Sequence, residues 1–212
     1  MTLEKIVAES AGKIQKIWKP EPRHTEFPFP ELLKSTKPLE IEIGCGKGKF
    51  ITARAEKSTE RNLLAIDKAG KWLKRRRLSA EKRGLAHLKF LVADAREILR
   101  NHIPQGRVSI FHIYFPDPWP KRRHRDRRLV TADFLRLLFD RLVPGGLLYA
   151  ATDDADYFQA IKKAVQESGC AWQMREACNT RLTTDVELPM TNYENRFFTA
   201  GCDLYYLELK KS

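Results

Sequence analysis

Four short apolar runs, at 39–43, 62–66, 88–92 and 108–114, recur along the chain, and the first three are each followed by a helix, predicted from about residue 47, from about 69 and near 96. Strands that alternate with helices through short connections predict a parallel sheet covered on both faces. Further on, Phe134, Leu137, Leu138 and Leu142 fall on one face of a helix predicted over 131–142, which stops at Pro144-Gly145-Gly146 and leads into a strand over 147–151. A helix over 155–168 ends at Gly169, a residue suited to a left-handed cap. Strands over about 171–177 and 203–209 bring the count to seven. The predicted class is therefore α/β, a seven-stranded, mostly parallel sheet with helices on both faces.

The N-terminal segment follows a different pattern. Leu3, Ile6, Val7, Ile14, Ile17 and Trp18 form a helical stripe over 2–19, which predicts a docked helix, and Glu4 and Glu9 speak against a mitochondrial presequence. Pro20, Pro22, Pro28 and Pro30 then enforce an extended connector carrying Phe27 and Phe29. Residues 1–37 are read as an N-terminal helix and connector, and 38–212 as the main domain.

Composition narrows the partners. The 212 residues include 39 Lys and Arg against 27 Asp and Glu, a net charge of +12, and 42% are hydrophobic, enough for an ordinary core. Such a balance favours a polyanion through long-range attraction and counterion release. No segment approaches the ~20 apolar residues of a spanning helix, and no signal peptide opens the chain. Cys45, Cys170, Cys178 and Cys202 have neither paired spacing nor histidines at finger-like distance, and the five histidines (24, 87, 102, 112, 124) show no metal spacing. The reading is a cytoplasmic protein with reduced thiols, no metal and no membrane.

The chemistry begins at Glu42-Ile43-Gly44-Cys45-Gly46-Lys47-Gly48, a glycine-rich turn between strand and helix. A dinucleotide fingerprint would need another glycine at Lys49, so a nicotinamide oxidoreductase is disfavoured. Asp67 and Asp94 stand at the ends of the next two strands, where one carboxylate can accept both hydroxyls of a ribose and the other can meet an adenine amino group. Acidic residues along this edge repel a pyrophosphate but suit a cationic sulfonium cofactor, S-adenosylmethionine. Phe115-Pro116-Asp117-Pro118-Trp119 then fixes a carboxylate and an indole in a stiff, non-helical turn beside the basic run Lys121, Arg122, Arg123, His124, Arg125, Arg127 and Arg128. That combination suits an enzyme acting on a base in RNA.

In order along the chain, the glycine turn, Asp67, Asp94, Phe115-Pro-Asp-Pro-Trp119 with its basic sequel, Pro144-Gly-Gly146 and Thr191-Asn192-Tyr193-Glu194 resemble the bacterial tRNA (guanine-N7-)-methyltransferase family over about residues 38–210. The resemblance implies a class I, Rossmann-like methyltransferase sheet with its last strand reversed, S-adenosylmethionine as cofactor, and tRNA as partner through a guanine of its variable loop. Glu42, Gly44, Gly46, Gly48, Asp67, Asp94 and Asp117 are then the cofactor-binding candidates. Asp117 is also the catalytic candidate, holding the base and the positive charge that arrives on it. Substrate contacts are expected from Lys121, Arg123, His124, Arg125, Arg127, Arg128, Asp153, Thr191, Asn192, Tyr193 and Glu194. The family often carries a basic residue where Asn192 stands.

Local readings stay open beside these. Asp153 suits an N-cap for the 155–168 helix, and Tyr193 suits core filling. The run 123–128 is expected to be disordered until RNA arrives. A second basic run over 71–77 is read as the solvated face of a helix whose Trp72, Leu73 and Leu78 face the sheet, with auxiliary tRNA contact as the alternative. The rival functions are a methyltransferase acting on another RNA, such as rRNA, and a non-catalytic RNA-binding protein on the same fold. No obligate protein partner is evident.

Overall fold

The computed structural model describes residues 29–71, 73–182 and 188–212. The helix predicted over 2–19, most of the proline connector, and Trp72 lie outside the described residues. Seven strands form one sheet: β1 (Leu39–Ile43), β2 (Asn62–Asp67), β3 (Leu88–Val92), β4 (Val108–Tyr114), β5 (Leu142–Thr152), β6 (Trp172–Cys178) and β7 (Tyr205–Lys211), in the order β3-β2-β1-β4-β5-β7-β6. β1 to β5 pair in parallel, and β7 runs antiparallel between β5 and β6. This is the architecture the strand–helix alternation predicts, with β7 as the reversed strand.

Among the described residues the α-helices are α1 (Pro30–Lys34), α2 (Lys49–Glu56), α3 (Leu73–Lys82), α4 (Ala95–Asn101), α5 (Ala132–Arg141), α6 (Ala155–Ser168) and α7 (Asn192–Thr199). Strand side chains alternate between two cores. Ile41, Leu64, Leu91, Phe111, Leu148 and Leu207 point into a core closed by α1, α4, α5 and α6. Leu63, Phe90, Ile110, Tyr149 and Tyr206 point to the other face, covered by α2 and α3. On that second face β1 contributes not apolar residues but Glu40 and Glu42, both buried.

Three local expectations differ from what forms. Pro144-Gly145-Gly146 does not end the helix: α5 stops at Arg141, Leu142 already pairs with Val108, and the glycines make a bulge before Leu147 resumes pairing at Ile110. Pro30 opens α1 at its first turn, where a missing N–H costs nothing, and the segment docks through buried Phe29 and Leu32. Arg107 fixes it by donating to the carbonyls of Leu32, Leu33 and Ser35. On α3, Leu73, Arg77 and Ala80 face inward at helical spacing, while Leu78 is exposed, so the inner face includes an arginine and not Leu78.

Candidate active site

Strand order reverses between β1 and β4, and open parallel sheets bind ligands at the carboxyl ends of such a pair. A cleft of about 360 Å³ opens there, walled by Gly44 and Gly46 from the turn after β1, Asp67 and Lys68 after β2, Asp94 and Arg96 after β3, Phe115, Pro116, Asp117 and Trp119 after β4, and Tyr193 of α7. A second chamber of about 510 Å³ lies beyond Gly44 and Gly46, floored by Glu42, Tyr114 and Thr191 and rimmed by Lys47, Lys49, Arg76 and Arg196. Tyr193 borders both.

The glycine turn is built for close approach. Gly44 and Gly46 have φ of 77° and 49°, and a Cβ on either would meet nothing within 4 Å, so bare backbone faces open space. Gly48 serves a different end: it caps α2 with φ of 61°, and a Cβ there would lie 3.0 Å from the Phe90 ring. Its expected place at the cofactor is therefore corrected to helix packing, and it walls neither chamber. Asp67 anchors the turn by accepting N–H bonds from Gly46 (2.6 Å) and Ala69 (2.7 Å). Asp94 caps α4 through the Arg96 N–H and pairs with Lys68 at 2.9 Å. Burial alone would raise its pKa; Lys68 and the Arg96 N–H more than offset that and leave it lowered.

Glu42 is 5% exposed and its Oε2 has no hydrogen-bond partner. Burial, partly opposed by the Ile51 N–H and reinforced by the charge of Asp67, pushes its pKa up to about 8. A buried carboxyl that is neutral for want of a counter-charge, at the floor of a chamber, is a ready site for a cation. Cys45, between the two glycines, is buried, and that burial pushes its thiol pKa up, which disfavours the reactive thiolate.

The Phe115–Trp119 turn is held open by two residues in the left-handed region, Phe115 (φ 51°) and Trp119 (φ 45°), on either side of the two prolines. Non-glycine residues there cost roughly 1–3 kcal/mol each and persist where surroundings over-determine them. Here the Phe115 N–H donates to Ala151 O at 2.7 Å, and the Phe115 ring packs with Tyr193 and Phe197. Arg127 lies over the Trp119 ring at 5.1 Å. Asp117 is thereby exposed at the cleft wall.

The basic run is ordered, contrary to expectation. Arg122–Arg127 form a 3₁₀ helix because Arg125 and Arg128 both pair with Asp156 on α6, and Arg128 Nε donates to Pro118 O at 2.8 Å. Arg128, 6% exposed, is a strut behind the motif turn, so its expected contact with substrate is corrected. Lys121, Arg123, Arg125 and Arg127 are exposed, His124 half-buried against Trp119, and among these Arg127 walls the cleft.

The Thr191–Glu194 motif is also reassigned. Thr191 Oγ1 accepts from the Glu194 N–H at 3.0 Å and a Glu194 carboxylate oxygen accepts from the Thr191 N–H at 2.6 Å, a reciprocal cap opening α7. Arg181 pairs with the same carboxylate at 2.7 Å. Glu194 is fully buried, its carboxylate engaged by Arg181 and the Thr191 N–H. The cap aims Tyr193, 51% exposed, out over both chambers and stacked on Phe197, which answers the core-filling alternative. The side chain of Asn192 lies outside the described residues. Asp154, not Asp153, caps α6, and Asp153 is exposed and walls neither chamber. Sequence reasoning missed Lys68, Tyr114, Arg196 and the chamber role of Lys47 and Lys49; the i, i+3 spacing of Tyr193 and Arg196 was the available signal.

Among the described residues no three metal-ligating side chains converge, and no helix is long and apolar enough to cross a membrane. The family model described as "Putative methyltransferase" matches residues 36–207. A tRNA (guanine-N(7)-)-methyltransferase of Alkalilimnicola ehrlichii is 35% identical over 80% of this chain and 72% of its own length. One of Methylococcus capsulatus is 30% identical over 98% and 90%. Among solved structures, a precorrin-6y C5,15-methyltransferase of Geobacter metallireducens superposes with a TM-score of 0.58 at 14% identity, covering 86% of this chain and 84% of that one, a likeness of fold. With a class I methyltransferase sheet and relatives of this kind over most of its length, the chain belongs to the tRNA (guanine-N7-)-methyltransferase family.

Proposed function

We propose that this protein transfers the methyl group of S-adenosylmethionine to N7 of a guanine in the variable loop of tRNA, in the cytoplasm. The observation that carries the reading is the single cleft in which the glycine turn, Asp67 and Asp94 meet Asp117 and Trp119. The residues fit the cofactor: bare backbone at Gly44 and Gly46, carboxylates at Asp67 and Asp94, and an unpartnered buried carboxyl at Glu42. Bound there, S-adenosylmethionine supplies an electrophilic methyl group on a cationic sulfur.

Guanine N7 carries an available lone pair, so no base need first remove a proton, and the protein's task is orientation and charge. Asp117, fixed between two prolines, accepts from or faces the base and stabilises the positive charge that develops on its imidazole ring. Tyr193 offers an exposed ring for stacking a base turned out of the RNA. Glu42 supplies the counter-charge for the cofactor's cationic end. The exposed cations Lys121, Arg123, Arg125 and Arg127 bind phosphates, with Arg127 at the rim. Engagement of ~4 phosphates gives a slope of roughly −3 for log affinity against log salt.

The test is methyl transfer from labelled S-adenosylmethionine to two unmodified tRNA transcripts, one with guanine and one with adenine at a single variable-loop position. Label only in the guanine transcript, recovered as 7-methylguanosine, is the expected result. Label in neither, with cofactor binding intact, contradicts the tRNA reading and favours another RNA such as rRNA. Asp117→Asn is expected to lower single-turnover methylation on the order of 100-fold; near-normal turnover removes its catalytic role.

A further inference from the structure

The basic run over 71–77 was expected to be a solvated helix face, yet α3 does not present it that way. With Leu73, Arg77 and Ala80 turned inward, Arg75 is exposed and Arg76 leans over the glycine turn, its Cγ 3.6 Å from where a Gly48 Cβ would stand. A groove of about 330 Å³ runs between α3 and the glycine turn, walled by Lys47, Arg75, Arg76 and Ser79 with no acidic side chain. Lys47 and Arg76 also rim the second chamber, where Lys49 and Arg196 join them.

Five cations from three separate stretches of sequence thus share one continuous surface: Lys47 and Lys49 from the glycine turn and α2, Arg75 and Arg76 from α3, Arg196 from α7. Like charges gathered this way raise the energy of the free protein, and a polyanion relieves it. The 3₁₀ helix contributes no wall to this surface; it lies across Gly44 and Gly46, where Arg127 walls the cleft. A nucleotide turned into the cleft leaves a chain that must continue in both directions. One basic surface receives the backbone on one side only.

We propose that the groove between the glycine turn and α3, with the rim of the second chamber, is a second phosphate track that binds the backbone of the RNA substrate on the side away from the 3₁₀ helix. This rests on the RNA-methylation reading and adds to it where the strand runs. Tyr193, at the border of both chambers, marks the crossing point.

The test is equilibrium binding of an unmodified tRNA transcript across a salt series, with S-adenosylmethionine affinity measured on the same proteins by calorimetry. Arg75→Ala combined with Arg76→Gln removes two charges, so the slope of log affinity against log salt is expected to become shallower by about 1.4, at 0.7 per phosphate of a single strand. Arg75→Glu alone, at an exposed position that leaves the helix interior untouched, is expected to move the slope the same way, and Arg75→Lys to restore it. Cofactor affinity is expected to stay unchanged in Arg75→Glu and Arg75→Lys, at a residue that walls neither active-site chamber, which separates loss of the track from damage to the turn. A wild-type slope in both Arg75→Glu and the double variant, in protein that still methylates the transcript, overturns the track while the function stands. Absence of transcript binding by the wild type overturns the RNA reading itself, and the track with it.

Discussion

Glu40 and Glu42 stand two residues apart on β1 and point to the same face of the sheet, yet they have opposite electrostatic fates. Glu40 is fully buried and held by Arg54 at 2.8 Å, Arg61 at 3.1 Å and the ring of His112 at 3.4 Å. Burial would raise its pKa, but the bonds from His112 and Arg54 outweigh it and bring it to about 2. Glu42, one pleat further toward the carboxyl edge, has an unpartnered oxygen and a pKa of about 8. The same residue type in the same strand is a finished structural charge at one position and an open coordination site at the next. The Glu42 Oε2 is left without a hydrogen-bond partner, and a cationic ligand completes it.

The strongest way to break this contrast is to strand the finished charge. Arg54→Met leaves Glu40 buried without its main partner and is expected to cost about 3–5 kcal/mol, read by urea denaturation. In the wild type, the depressed pKa of Glu40 gives stability that is present above its unfolded pKa of 4.5 and lost as pH falls toward about 2. That loss amounts to about 3 kcal/mol across the window. Glu40→Gln is expected to flatten it.

At the open site the prediction reverses. Glu42→Gln is expected to raise stability at neutral pH by about 3 kcal/mol, since the wild-type carboxyl, ionised in the unfolded chain, must take up a proton on folding and the amide need not. It should weaken S-adenosylmethionine binding about 10- to 100-fold, the scale of a charge-assisted contact of ~1.5–3 kcal/mol. Wild-type cofactor affinity is expected to climb as pH rises toward about 8, because Glu42 must release its proton to meet a cation, and to be flat in the variant. Protein stability moves the other way: the folded state binds the extra proton between 4.5 and about 8, so stability falls as pH climbs through that window. The smallest effect belongs to a third glutamate, Glu194, already satisfied by Arg181 and the α7 cap. Thr191→Ala is expected to cost ~1 kcal/mol by thermal melting and to raise KM for tRNA by tilting Tyr193.

The strands and the motif order were legible because each rests on local signals: apolar runs, the glycine turn, and acids at successive strand ends. The contrast between Glu40 and Glu42 was not, since it depends on Arg54 and on His112, which lies 72 residues away in sequence. Thr191-x-x-Glu194 was readable as a capping box before an apolar pair, yet its place in a functional motif drew the expectation toward substrate. The 3₁₀ helix at Arg122–Arg127 was hidden for a similar reason. A run of like charges reads as mobile until Asp156, from another element, pairs with Arg125 and Arg128.

The most direct test of the open-site account is the number of protons released when S-adenosylmethionine binds at pH 7, obtained by calorimetry in buffers of different ionisation enthalpy. With Glu42 near pKa 8 in the free protein, the wild type is expected to release close to one proton more than Glu42→Gln. Equal release by the two proteins, with the cofactor bound in both, would contradict the claim that Glu42 waits neutral for the cofactor's charge.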